Sequence, residues 1–172
     1  MKRFVPFIAL CIIVIALLAC GESNNTGTAS TLNSGKTNSS QPAKHFKVGD
    51  TVKVGTDWQV VVNSVKTDDG GQFSSLKSGD TYLVVDISLT NLSSKEQNVS
   101  SALSFTLQDT TGQKYNESID GNAGATLDGK VSAGSPLKGV IVYEVPSSVK
   151  SFVLNFAPDI VSSGQTTWDL SV

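Results

Sequence analysis

Across residues 82–90 the chain alternates. Leu83, Val85, Ile87 and Leu89 fall on one side, while Asp86, Ser88 and Thr90 fall on the other. Side chains along a β-strand repeat every two residues, so this run predicts a strand with one face in a core and one toward water, as antiparallel sheets allow. The same period recurs in 51–54 and 58–65, and in 104–108, where Phe105 and Leu107 share a face. In 137–145, Ile141, Tyr143 and Val145 share one side, and Val140 and Val142 take the other, so this strand is expected to be buried on both faces. Phe152, Leu154 and Phe156 alternate next, and then Trp168, Leu170 and Val172.

Turn-forming clusters separate the runs: Asp68-Asp69-Gly70-Gly71, Ser78-Gly79-Asp80, Asp109-Thr110-Thr111-Gly112, Asp128-Gly129 and Ala133-Gly134-Ser135-Pro136. No stretch keeps a helical period for three turns. About eight short strands with frequent turns predict an all-β, antiparallel sandwich over residues 46–172. Paired cysteines around a tryptophan are missing, so these residues leave the topology open.

Four segments carry a resemblance to a bacterial family. Val48-Gly49-Asp50-Thr51-Val52 leads into Trp58-Gln59-Val60-Val61-Val62. Tyr82-Leu83-Val84-Val85-Asp86-Ile87-Ser88-Leu89-Thr90-Asn91 ends a central strand at an asparagine. Phe105-Thr106-Leu107-Gln108-Asp109 is followed by Gly112 and Tyr115. Gly139-Val140-Ile141-Val142-Tyr143-Glu144-Val145-Pro146 stops at a proline. In order and spacing the chain resembles an extracytoplasmic domain of unknown function of the immunoprotective extracellular, immunoglobulin-like superfamily. The resemblance implies an immunoglobulin-like sandwich of the kind found on secreted or lipid-anchored proteins. It implies no activity and no catalytic residues.

Ahead of the domain lie two zones of different composition. Met1-Lys2-Arg3 is a cationic start, and the 16 residues 4–19 are almost wholly apolar. A spanning helix needs about 20 residues, so the order of charge, apolar run and small residue reads as an export signal over 1–19. Its end, Leu17-Leu18-Ala19-Cys20, resembles the bacterial lipobox. That resemblance implies diacylglycerol on the Cys20 thiol, cleavage after Ala19, and a chain lipid-anchored at the cell membrane on its extracytoplasmic face. Residues 20–45 then carry the lipidated cysteine and a stretch rich in Ser, Thr, Asn and Gly, with Leu32 its one sizeable aliphatic. Such a segment buries too little apolar surface to offset its ordering entropy, so a disordered tether is expected, spanning about 25–30 Å.

Charge and residue types then narrow the function. Without the leader, 11 lysines and no arginine face 15 acids, a net charge of −4. Phosphate backbones prefer a basic partner, so nucleic acid is disfavoured. Cys11 lies in the leader and Cys20 carries the lipid, which leaves no disulfide, no thiol nucleophile and no thiolate metal ligand. His45 is the single histidine and falls at the tether junction, where a solvated linker residue is expected. A serine–histidine–acid set cannot be assembled within the domain, and zinc-ligand spacings and phosphate-binding glycine loops are absent. No cofactor and no catalysis are expected.

Asp109, Asp120 and Asp128 fall near turns. Carboxylates at loop ends can bind calcium, but Asp and Gly also make turns for local reasons, and turn chemistry is the favoured reading. For Trp58 and Trp168, set within alternating strands, core packing is favoured over a sugar or peptide platform. Phe73 and Leu76 stand out in a polar loop. The favoured reading is a loop folding back over the sandwich, with partner contact as the sharper alternative. The expected function is a non-catalytic binding or adapter module acting on an unidentified envelope protein or polymer. A structural envelope component without a specific ligand is the alternative, and a calcium-binding or hydrolytic module is less favoured.

Overall fold

The computed structural model describes residues 44–71, 74–158 and 165–172. Twelve strands run through them: β1 (His45–Lys47), β2 (Thr51–Val54), β3 (Trp58–Asp68), β4 (Asp80–Asn91), β5 (Gln97–Val99), β6 (Phe105–Asp109), β7 (Lys114–Tyr115), β8 (Glu117–Ser118), β9 (Gly129–Val131), β10 (Pro136–Pro146), β11 (Ser151–Phe156) and β12 (Thr166–Ser171). A single-turn helix, α1 (Ser101–Ser104), precedes β6. One sheet has the order β1-β12-β11-β6-β7 and the other β2-β3-β4-β10-β8, while β5 and β9 form a separate pair. All pairings between these strands are antiparallel except β1 with β12.

The two sheets form a sandwich, as the period-two pattern predicts. Leu83, Val85, Ile87 and Leu89 of β4 all point inward and are fully buried. They share one core with Val60 and Val62 of β3, Ile141 of β10, Leu107 of β6, Phe152 and Leu154 of β11, and Trp168 of β12. Burying each such side chain stabilises the fold by about 1.5–3 kcal/mol, so the long strands β3, β4 and β10 supply much of the drive to fold. Strand β10 is buried on both faces, with Val142 on the outer side. Val172 departs from the pattern: it lies beyond β12 and is 39% exposed.

In β3 the inward valines are spaced 60, 62 and then 65, a skip of three. The register with β4 shifts between Val62 and Ser64, which leaves Asn63 as the extra residue of a β-bulge. The bulge restores Val65 to the core side. It also turns the Asn63 amide across to β4, where Nδ2 donates to Asp86 Oδ1 at 2.6 Å and to Ser88 Oγ at 2.9 Å.

The chain crosses between sheets along both flanks. Strand β1 edges one sheet and β2 the other, joined by a turn in which the Asp50 amide donates to the Lys47 carbonyl at 3.1 Å. On the opposite flank β7 and β8 take the two edges with only Asn116 between them. The first crossing corrects the expectation for His45. It is not a linker residue but the first residue of β1, paired with Thr167, and its Nδ1 lies 2.7 Å from Asp169 Oδ1. Among the described residues no helix is long and apolar enough to cross a membrane.

Candidate functional site

The three acids singled out in the sequence go to separate partners. Asp109 ends β6 and organises the hairpin into β7. Its Oδ1 accepts from the Thr111 hydroxyl at 2.6 Å, the Thr111 amide at 2.8 Å and the Gln113 amide at 3.0 Å, and its Oδ2 accepts from the Tyr115 hydroxyl at 2.9 Å. Gly112 closes the turn at φ +90°, a conformation other residues adopt with strain. The Thr111 hydroxyl is the main influence holding the Asp109 carboxyl down to about 2. Burial opposes it, and the Tyr115 hydroxyl and the Gln113 and Thr111 amides add to it. Burial first, and Asp109 second, push the Tyr115 phenol up to about 12. This carboxylate is consumed by turn chemistry.

Asp120 accepts from the Asn122 amide through Oδ1 at 3.1 Å. Its Oδ2 is buried and has no partner among the described residues. Asp128 accepts from the Ser101 amide at 2.9 Å at the start of α1. The buried Ser101 hydroxyl lies 3.1–3.2 Å from the Asp128 carboxylate and 2.8–2.9 Å from that of Glu117. One hydroxyl carries one proton, so it serves one of these carboxylates at a time. Glu117 escaped the sequence reading, because Ser101, Glu117 and Asp128 come from separate stretches with no motif linking them. Burial, and the Glu117 charge after it, push the Tyr143 phenol well above its ordinary value. Among the described residues no three His, Cys, Asp or Glu side chains converge as metal ligands would.

Cys20 and Phe73 lie outside the described residues. Leu76 is half-buried on the outer face of the β4–β10 pair, against Tyr82, Val84 and Val142, with Ala123 and Val140 beside it. It covers outward-facing apolar positions that the alternating pattern leaves without a partner.

One recess opens at an end of the sandwich. The β2–β3 turn supplies Thr56 and Asp57, β3 opens with Trp58, β5 supplies Gln97 and Asn98, and α1 ends with Ser104. The cleft holds about 310 Å³, within the range of about 300–1,000 Å³ typical of small-molecule sites. Trp58 is 6% exposed, so it is a core residue, as the sequence predicts, that also borders the cleft. Two side chains are held in place locally: the Thr56 hydroxyl donates to Asp57 Oδ1 at 2.9 Å and Gln97 Nε2 donates to Ser93 Oγ at 3.3 Å. The chain enters the domain at this same end. His45 pairs with Thr167, Thr167 with Asn155, and Asn155 with Thr106, two residues along from Ser104.

Residues 46–167 match the family described as a domain of unknown function, DUF4352. The chain belongs to this family. Solved structures with the same fold agree with the sandwich described for this DUF4352 chain. The candidate lipoprotein ycdA of Bacillus subtilis aligns at a TM-score of 0.60 and 16% identity, over 71% of this chain and 38% of that one. An uncharacterized β-sandwich protein of Clostridium difficile aligns at 0.53 and 15%, over 75% and 96% of the two chains. The secreted protein MPT63 of Mycobacterium tuberculosis aligns at 0.55 and 9%, over 76% and 98%. The DUF4352 chain thus spans little more than a third of the Bacillus subtilis protein's length. At these identities the likeness concerns the fold. No curated protein matches the sequence.

Proposed function

We propose that this DUF4352 chain is a lipid-anchored, extracytoplasmic binding module without catalytic activity, with an immunoglobulin-like sandwich held to the cell membrane through Cys20. The observation that carries the reading is the order of parts along the chain. A cationic start and an apolar run end at Leu17-Leu18-Ala19-Cys20, a polar stretch follows, and a sandwich begins at His45. Two acyl chains hold a protein on a bilayer far better than one, and a stretch of 24 mostly polar residues gives a domain room to search its surroundings. A candidate lipoprotein and a secreted protein with the same fold support an address outside the cytoplasm. Its partner is an envelope protein or polymer, engaged through loop ends, since loops on a rigid scaffold carry recognition. The half-buried position of Leu76 favours the capping role for that residue over partner contact.

Metabolic labelling with a clickable fatty acid tests the anchor. Label is expected on the wild-type chain and absent from Cys20→Ala. An unlabelled chain in the cytosol with Met1 intact refutes the reading. Crosslinking in intact cells then reports the partner; a stoichiometric adduct is expected, and its absence favours a structural envelope role.

A further inference from the structure

We infer that the cleft at the chain-entry end binds a neutral, hydroxyl-rich saccharide. This deepens the binding-module reading and rests on it. The argument is the chemistry of the lining. Gln97 and Asn98 offer carboxamides that donate and accept at once, Thr56 and Ser104 offer hydroxyls, and Asp57 accepts. Sugar hydroxyls need this mixture, because each is both donor and acceptor. Trp58, nearly all of it in the core, shows the cleft only an edge, which adds a small apolar contact beside the polar lining.

Other ligand classes fit poorly. Among the described residues no lysine lines the cleft and Asp57 is its one charged residue, so phosphate, sulfate or carboxylate groups would meet a like charge there. A wholly apolar ligand would strand the carboxamides and hydroxyls without partners. The walls are also held before any ligand arrives. Gln97 and Asn98 stand on β5, which is paired with β9, and Asp57 is tied by Thr56.

The test is a titration of the full chain, purified in a detergent without a sugar headgroup, followed by tryptophan emission. Trp58 borders the cleft and Trp168 does not, so a ligand-dependent shift reports Trp58. Chitotriose and cellotriose are the neutral probes and trigalacturonate the anionic control. A saturable shift is expected with at least one neutral trisaccharide and none with trigalacturonate. Removing two hydrogen-bonding carboxamides, in Gln97→Ala with Asn98→Ala, should weaken the apparent affinity about tenfold or more. The exposed Asn98→Ala alone should give an intermediate loss with an unchanged urea midpoint. The inference is overturned if both neutral probes leave the emission unchanged, if trigalacturonate acts equally well, or if the double variant binds as tightly as wild type. Those results leave fatty-acid labelling at Cys20 untouched, and a loss of labelling leaves the titration untouched, so the two readings fail separately.

Discussion

Replacing Asn91 should destabilise the domain more than replacing any exposed polar residue. Asn91 ends β4, is fully buried, and uses its whole side-chain amide. Nδ2 donates to the carbonyls of Lys95 at 2.7 Å and Val131 at 2.9 Å, while Oδ1 accepts from the Ser93 amide at 2.9 Å and the Ser93 hydroxyl at 2.7 Å. One side chain therefore ties the end of the central strand to the following turn and to β9. Asn91→Ala removes all four bonds. The Ser93 hydroxyl still reaches the Lys95 carbonyl at 3.0 Å, so those two groups recover part of their loss. The Val131 carbonyl and the Ser93 amide do not, and at about 1–3 kcal/mol for each stranded group the cost comes to about 3 kcal/mol. With a slope of about 2 kcal/mol/M, the urea midpoint should fall by about 1.5 M. Asn91→Asp keeps the shape but sets a carboxylate against two carbonyls, so at neutral pH it should be worse than alanine. Acidification should narrow that gap as the acid regains one donor. A midpoint change below about 0.5 M for alanine, or an aspartate variant as stable as wild type at pH 7, would refute the reasoning.

Three further outcomes follow from local geometry. A Cβ on Gly139 would lie 2.6 Å from the Thr126 carbonyl oxygen and 2.8 Å from the Leu127 nitrogen, both backbone atoms. Gly139→Ala should therefore cost about 1–3 kcal/mol in thermal unfolding, whereas Gly121→Ala, with open space around it, should stay within about 0.5 kcal/mol. The Asp109 carboxyl lies below its ordinary value of 3.8, so its stabilising effect is complete above that pH and is lost as pH falls through 3.8 toward about 2. Asp109→Asn should flatten the stability profile in that window, and a carbon-shift titration should show Thr111→Val raising the Asp109 value more than Tyr115→Phe does. Leu76→Ser should cost about 1 kcal/mol if the side chain covers Tyr82, Val84 and Val142; an unchanged melting temperature would return Leu76 to the partner-contact reading.

The alternating runs made the long strands legible, because each is long enough for period two to register: β3, β4, β10 and β11 all lie where the pattern puts them. Five strands of two or three residues escaped it, among them β1 at His45, β7 and β8, since so few residues show no period. The bulge at Asn63 was written in the skip from Val62 to Val65 but reads as noise until the register with β4 is known. Tyr82 and Val84 look solvent-facing by alternation alone; what covers them, Leu76 and Ala123, comes from separate loops. The turn role of Asp109 was local and therefore readable. The cleft was not, because among the described residues it is assembled from four stretches of chain, and Trp58 on its wall carries an ordinary core signature.

The stitching along both flanks bears on how such molecules behave in a crowd. Exposed sheet borders are where one copy can add to the next like slats in a fence. Here the edge strands β1, β2, β7 and β8 are only two to four residues long, and β1–β2 and β7–β8 each link the two layers directly. Where β3 runs on past β2, the border begins with a kink and shows Ser64, Lys66 and Thr67 to water. That bare stretch of β3 is bent at its start and polar toward water, which disfavours straight edge-to-edge pairing between neighbouring copies.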